Sequence, residues 1–385
     1  MKKSRGKIKV LFMIDSLGGG GAERVLSFIL RDLNRERFET SLFLVIKEGI
    51  YLKEVPDDVP VSGIFRDVNT IKLWVFRSAY RLYRRSQLEL FKIFPALLSL
   101  RSRIKGHYDV GISFCEGHNL PLLDLKSSRF KKTISWIHVD LRTHRCPLGI
   151  SRVGRYAGRA DKLFFVSEDA RKGFLEIFPT QHLSAKTEVV YNPIDTRMIL
   201  QQAEMFCPRK KEKFTLVAVG RLSRQKRFDK LIRVHRRLLD AGIDHRVWIL
   251  GEGEERAFLE SETKKEGVTF TFSFLGFQNP YPYLKNADLF VMTSDYEGLP
   301  VALAEAMVLE KPIVSTRVTG PVELLENGKY GCLTENTEKA IEGGLKAMMR
   351  DSSLREKYTA RLRENKDRFI FPTNVRDIEK RILSL

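Results

Sequence analysis

The residues best placed for chemistry stand in one short stretch, Glu297-Gly298-Leu299-Pro300-Val301-Ala302-Leu303-Ala304-Glu305. It follows an apolar run, Leu289 to Met292, that reads as a buried strand, and it enters a segment of helix formers with Ala306 and Met307. Proline suits the first turn of a helix, so Pro300 leaves the N–H groups around Gly298, Leu299 and Val301 available to phosphate oxygens. Glu297 then stands just outside that helix N-terminus and Glu305 about two turns inside. The first carboxylate can take hydrogen bonds from sugar hydroxyls and the second from a ribose diol, with a diphosphate between them. The same spacing also fits a capping acid followed by a surface glutamate.

Two further loops have the right chemistry for phosphate. Gly18, Gly19, Gly20 and Gly21 follow an apolar run, Ile8 to Ile14, and precede an amphipathic segment from Ala22 to Leu33, so a close backbone approach would meet a helix N-terminus. The spacing is not GxGxxG, and Lys47, not an acid, follows the second strand, so the loop alone also fits a tight turn. After the run Thr215 to Val219 comes Gly220-Arg221-Leu222-Ser223-Arg224-Gln225-Lys226, where a guanidinium and an ammonium can clamp a diphosphate.

The elements that must position these loops alternate short β-branched runs with longer amphipathic segments, the pattern of βαβ units and a parallel sheet. Strands are predicted at Ile8 to Ile14, Thr40 to Ile46, Val110 to Phe114, Thr133 to Ile137, Lys162 to Val166 and Glu188 to Tyr191. A second set is predicted at Thr215 to Val219, Arg246 to Leu250, Thr269 to Phe274, Leu289 to Met292 and Pro312 to Ser315. Between the sets the rhythm lapses at Pro193, Pro208 and the run Arg209 to Lys213, which sets the domain boundary. Loops at the carboxyl ends of such sheets are where ligands bind.

A chain of 385 residues with 43% hydrophobic and 30% charged residues has material for two domains and is not low in complexity. Four scattered cysteines show no disulfide framework and read as reduced thiols of a cytoplasmic protein; His138, His144 and Cys146 match no common metal-ligand spacing. The basic start at Lys2, Lys3 and Arg5 leads into an apolar stretch too short for a signal peptide, and no run approaches the roughly 20 residues of a membrane span. The net charge of +19 is uneven: residues 1–200 hold 35 Lys+Arg and 21 Asp+Glu, a net +14, and the remainder 32 and 27, a net +5. A basic first half implies an anionic partner. Within residues 71–105, Tyr80, Tyr83, Phe91, Phe94 and Leu98 recur at helical spacing beside Arg77, Arg81, Arg84 and Arg85. That helix either lies on an anionic membrane or packs on the first domain with its arginines solvated.

Five motifs in order, Gly20-Gly21-Ala22-Glu23-Arg24, Asn192-Pro193-Ile194-Asp195, the Gly220 to Lys226 loop, Phe274-Leu275-Gly276-Phe277 and the Glu297 to Glu305 element, make the chain resemble glycosyltransferase family 4 over nearly its whole length. The nearest look is to bacterial enzymes building capsular, O-antigen or polyprenyl-diphosphate glycans. The resemblance implies an α/β chain of the GT-B type, two Rossmann-like doubly wound domains facing across a cleft. Residues 1–195 would bind the acceptor, 196–213 link the domains, 214–365 bind the nucleotide sugar, and 366–385 form a helix packing back toward the first domain. By motif, Arg221 and Lys226 would contact the donor diphosphate, Glu297 the transferred sugar and Glu305 the ribose, while Gly20 and Gly21 approach from the other domain. The backbone around Phe277 would meet the base, most often uracil, and His138 in Ser135-Trp136-Ile137-His138-Val139-Asp140 would stand near the reacting carbon. Such enzymes retain anomeric configuration and use no metal or other cofactor. The expectation is transfer of a hexose or N-acetylhexosamine to a lipid-linked or glycan acceptor, by a cytoplasmic protein held peripherally at the inner face of the membrane.

Two other functions share features with this sequence. A nucleotide-sugar epimerase has the same architecture but needs a proton-abstracting pair, and Glu297 and His138 are the nearest to one here. A non-catalytic accessory or nucleic-acid-binding protein would use the positive charge, but no nucleic-acid reader motif accompanies it.

Overall fold

The computed structural model describes residues 6–94, 96–102, 104–143, 146–208, 213–365 and 374–385. Of the sequence features above, Lys2, Lys3, Arg5, His144, residues 209–212 of the basic run and residues 366–373 of the C-terminal segment lie outside the described residues. The chain divides into two compact units, residues 1–191 together with 373–385, and residues 192–372.

The first unit holds a parallel sheet of β1 (Ile8–Ile14), β2 (Phe38–Lys47), β3 (Val61–Arg66), β4 (Tyr108–Phe114), β5 (Phe130–Ile137), β6 (Lys162–Phe165) and β7 (Thr187–Val189). Their spatial order is β3-β2-β1-β4-β5-β6-β7. The central strands bury residues on both faces, as in Val10 to Ile14 and Val110 to Phe114, which is why they read as unbroken apolar runs. The helix Val375–Leu383 belongs to this unit, burying Ile378 and Ile382, and its Glu379 carboxylate accepts from the Asn34 N–H at 2.7 Å.

The second unit repeats the plan with β8 (Phe214–Val219), β9 (His245–Leu250), β10 (Phe272–Phe274), β11 (Leu289–Met292), β12 (Ile313–Thr316) and β13 (Cys332–Thr334), in the order β10-β9-β8-β11-β12-β13 and again parallel. Each sheet reverses its strand order once beside its first strand, between β1 and β4 and between β8 and β11, and the carboxyl ends at such reversals form a crevice.

The elements the sequence reading missed have physical reasons. β3 and β13 are edge strands, and β3 buries only Phe65, so neither has an apolar run to announce it. The segment expected to be a linker carries the helix Thr196–Ala203, capped by Asp195, whose carboxylate accepts from the Met198 N–H at 2.9 Å. It packs on the helices Tyr281–Asn286 and Val301–Val308 through Ile199 and Ala203, so the second unit starts at Asn192 and not at residue 214.

Residues 71–105 form two helices, Trp74–Ile93 and Ala96–Ser102. Only part of the expected apolar stripe is buried: Phe91 and Leu98 enter the core, Tyr83 meets Phe65 edge-on, and the Tyr80 hydroxyl accepts from the Arg66 N–H at 2.9 Å. Two of the four arginines expected on an outer basic face are tied inward. Arg84 pairs with Glu48 at 2.6 Å, and Arg77 donates to the Ile71 carbonyl at 3.0 Å. Arg81 and Arg85 are exposed, and an apolar surface outside the expected stripe accompanies them: Leu73, Trp74, Val75, Phe76 and Leu82 are each at least 63% exposed. The packing alternative thus holds for one part of the helix, and the rest of it is exposed.

A buried histidine pair sits in the second unit. His245 Nδ1 lies 2.8 Å from the Ile243 carbonyl, which only accepts, so that nitrogen carries the proton. His245 Nε2 then accepts from His235 Nδ1 at 2.7 Å, and His235 Nε2 accepts from the Thr271 hydroxyl at 2.8 Å. Burial pushes His235 down to about 3 and lowers His245 as well. Below the unfolded value near 6.5 the unfolded chain therefore binds more protons than the folded one, and stability falls with pH from there toward the folded values. His235 is expected to cost up to about 2 kcal/mol between pH 6.5 and 5, and His245 to add in the same direction. Urea midpoints at pH 7 and 5 should show this fall, and His235→Gln should make it smaller.

Candidate functional site

The crevice between β8 and β11 is closed at its base by hydrogen bonds between the two loops that leave these strands. The Thr293 hydroxyl donates to the Lys226 carbonyl at 2.8 Å, the Asp295 N–H donates to the Gln225 carbonyl at 2.9 Å, and the Gln225 side-chain amide donates to the Tyr296 carbonyl at 2.8 Å. This pairing brings Lys226 Nζ to 2.6 Å from Glu297 Oε1, with the carboxylate side chain 8% exposed. Gly220 makes room for the lysine stem, since a Cβ there would stand 3.1 Å from Lys226 Cε. One of the three N–H groups of the ammonium is used by Glu297, which leaves two for other acceptors.

The helix expected after Glu297 is Val301–Val308. Pro300 is its N-cap with extended backbone, not a residue of the first turn, so the first helical N–H belongs to Val301. No side chain caps this end. The turn carrying Gly298, Leu299 and Pro300 packs against Gly320, where a Cβ would come within 2.4 Å of the Gly298 carbonyl oxygen. Glu305 is 3% exposed, which removes the surface-glutamate alternative, and the buried Tyr281 hydroxyl donates to its Oε1 at 3.0 Å.

A charge network beneath the loops was not singled out from the sequence. Asp295 accepts from Arg227 Nη1 at 2.9 Å, Lys230 Nζ at 2.9 Å and the Asn336 amide at 3.0 Å. Burial opposes its ionisation, but the bonds from Lys230 and Arg227 win and hold its carboxyl below the usual range. Arg227 adopts a left-handed backbone (φ 50°) at the start of the helix Phe228–Asp240, and its bonds to Asp229 and Asp295 fix that conformation. The available signal was the pair Arg227 and Lys230 on the first turn of the helix that follows the basic loop.

Arg221 is exposed at the carboxyl end of β8. Phe277 is 45% exposed, in a loop joined to β9 by the Gly251 N–H donating to the Gly276 carbonyl at 2.9 Å. Gly251 has φ +141°, and a Cβ there would fall 2.0 Å from the Gly220 carbonyl oxygen, so that junction requires glycine.

In the first unit, Gly20 is the N-cap of the helix Gly21–Asp32, with no side-chain cap on it. His138 follows β5 and is 8% exposed, its ring against Phe114 at 4.5 Å between centroids. Burial pushes it down to about 3, so it is neutral at physiological pH, and its Nε2 has no partner among the described residues. Its backbone N–H donates to Glu116 Oε2 at 2.8 Å, and burial pushes that carboxyl up to about 7. Asp15, Glu116 and His118 were also missed as a group; their signal was polar residues placed directly after apolar runs at the ends of β1 and β4.

Two parallel sheets with polar and charged loops at their strand-order reversals describe a two-unit, doubly wound α/β protein, and comparison with known proteins names its class. The profile of the glycosyl transferases group 1 matches residues 202–369. The N-acetylgalactosamine-N,N'-diacetylbacillosaminyl-diphospho-undecaprenol 4-alpha-N-acetylgalactosaminyltransferase of Campylobacter jejuni is 33% identical over 364 residues, 91% of this chain and 92% of its own length. The amylovoran biosynthesis glycosyltransferase AmsD of Erwinia amylovora is 24% identical, covering 84% of this chain and 85% of its own. Anabaena HepE, solved in complex with UDP, superposes with a TM-score of 0.72 at 18% identity, over 98% of this chain and 100% of that one. The chain belongs to the group 1 glycosyl transferases, and its two Rossmann-like units are those of the GT-B fold.

Lys230 is 9% exposed, so removing Asp295 strands a buried ammonium. Asp295→Ala is expected to destabilise the second unit by about 3 kcal/mol, and the double variant Lys230→Met/Asp295→Ala to recover much of that, because no unpaired charge remains. Thermal unfolding of the two variants checks both.

Proposed function

We propose that the protein is a retaining glycosyltransferase. It moves a hexose or N-acetylhexosamine from a UDP-linked donor to a membrane-associated glycan acceptor, such as a polyprenyl-diphosphate oligosaccharide in cell-surface polysaccharide synthesis. The observation that carries this reading is the Lys226–Glu297 pair, set at the carboxyl-end crevice beside the N-terminus of Val301–Val308. Phosphate oxygens draw on the two remaining N–H groups of Lys226, on Arg221 and on the uncapped helix N-terminus. Sugar hydroxyls donate to Glu297, and the ribose diol to Glu305, whose orientation Tyr281 fixes. Charge building on the leaving diphosphate is met by these cations and the helix dipole, with no metal ion required. His138, neutral and backed by Phe114, serves the transferring sugar. The names of the Campylobacter and Erwinia relatives support the acceptor class, and the HepE complex with UDP supports the base.

A donor screen by saturation-transfer binding across UDP-sugars and GDP-mannose should select a UDP-sugar. Glu297→Ala should abolish transfer while UDP still binds, and Lys226→Ala should lower kcat by about 10²- to 10³-fold. Retained transfer by Glu297→Ala, or epimerised sugar formed from donor alone, would overturn the reading.

The exposed surface Leu73, Trp74, Val75, Phe76 and Leu82, beside Arg81 and Arg85, supports peripheral docking on the anionic inner face of the cytoplasmic membrane. Each basic residue near such a surface contributes about 1 kcal/mol, so Arg81→Gln/Arg85→Gln should weaken binding about 30-fold. Flotation with phosphatidylserine-containing vesicles reads this, and Trp74→Ser/Phe76→Ser should weaken it further.

A further inference from the structure

The reversal of strand order in the first unit lies between β1 and β4, and two side chains meet across it. Asp15, directly after β1, accepts from the His118 N–H at 3.0 Å and the Asn119 N–H at 2.9 Å, and its Oδ2 lies 2.8 Å from His118 Nδ1. A carboxylate only accepts, so His118 Nδ1 carries the proton, and in the singly protonated ring of that tautomer Nε2 is the acceptor. That nitrogen is buried and has no partner among the described residues, in a side chain 12% exposed. Two neighbours share its condition. Asn119 Oδ1 is buried without a partner, although the amide nitrogen of the same side chain donates to the Met13 carbonyl and to Ser113 Oγ, and His138 Nε2 is likewise unpartnered. Buried polar atoms are nearly always satisfied, and each one left unmade costs about 1–3 kcal/mol, so unpartnered acceptors in the loops after the paired strands β4 and β5 point to a ligand rich in hydroxyl donors. The chain is also built to bring Asp15 here: at Gly117 a Cβ would stand 2.6 Å from the Asp15 carboxylate.

We propose that Asp15 and His118 form a hydroxyl-recognition dyad of the first unit, in which His118 Nε2 accepts a hydrogen bond from a hydroxyl of the glycan acceptor. Asp15 is the positioning residue: it holds the ring in the tautomer that can accept. The inference rests on the reading of the first unit as the acceptor-binding one. It adds a specificity element there, since a sugar lacking that hydroxyl, or carrying it as an ether, leaves the imidazole nitrogen unpaired.

The test uses the full chain with UDP-N-acetylgalactosamine and a synthetic polyprenyl-diphosphate N-acetylgalactosamine. His118→Leu should raise KM for the lipid-linked sugar about tenfold, the worth of one hydrogen bond, while KM for the donor and the rate of donor hydrolysis by water stay as in the wild type. His118→Gln, whose amide oxygen still accepts, should lose less, and Asp15→Asn should shift the same KM in the same direction. Imidazole ¹⁵N spectra, with His118 assigned by its loss in His118→Gln, should show a bare Nε2 whose signal moves on adding the lipid-linked sugar and not on adding UDP. An unchanged acceptor KM in His118→Leu, or equal rises in both KM values, overturns the dyad. A wild-type enzyme that hydrolyses the donor but transfers to no acceptor instead sinks the acceptor reading; the dyad then stands or falls on whether the Nε2 signal moves.

Discussion

Neighbouring parallel strands at a reversal of strand order send their following helices to opposite faces of the sheet, so the loops at their carboxyl ends part and a crevice opens. Each unit of this protein must hold such a crevice to a fixed width, and each does so with hydrogen bonds running from one loop to the other. In the second unit the Thr293 hydroxyl, the Asp295 N–H and the Gln225 side-chain amide each donate to a backbone carbonyl across the gap. They set where Lys226 and Glu297 can stand. Without them a 2.6 Å ion pair between residues 71 positions apart would be one arrangement among many. The Asp295 network below, with its nearly buried Lys230, anchors the same loops to the helix Phe228–Asp240.

The first unit solves the same problem chiefly with one carboxylate, helped by the Asn119 amide donating to the Met13 carbonyl. Asp15 takes three hydrogen bonds from His118 and Asn119 and so joins the end of β1 to the loop after β4. The two crevices differ in electrostatic character as a result. That of the second unit offers cations and helix N–H groups suited to a diphosphate. That of the first offers the neutral imidazole of His138 and a carboxyl pushed up to about 7 in Glu116, a lining suited to uncharged hydroxyls.

Much of this was legible in the sequence where one physical cause dominates locally. Strands buried on both faces are apolar runs, so β1, β4, β5, β8 and β11 were found, and with them the loops that carry Lys226, Glu297 and His138. The edge strands β3 and β13 escaped because half of their surface is wet, and the helix Thr196–Ala203 escaped because it buries only Ile199 and Ala203 and lies in a proline-flanked part of the sequence. The inward turn of Arg84 toward Glu48 and the partnership of Asp15 with His118 depend on contacts between residues 36 and 103 positions apart. No local pattern announces a pairing at that range. Pro300 was placed one position too deep in its helix because proline suits the first turn and, with extended backbone, can also stand just before it.

The helix Val375–Leu383 seals part of the first unit, though nearly 200 residues of the second unit lie between it and the rest of that core. Ile378 and Ile382 are buried there, Glu379 satisfies the Asn34 N–H, and Arg381 pairs with Glu188. On a ribosome, therefore, the second unit has all its residues while the first still lacks its final helix. Residues 1–191 must wait with a patch of apolar surface uncovered until residues 375–383 have been made.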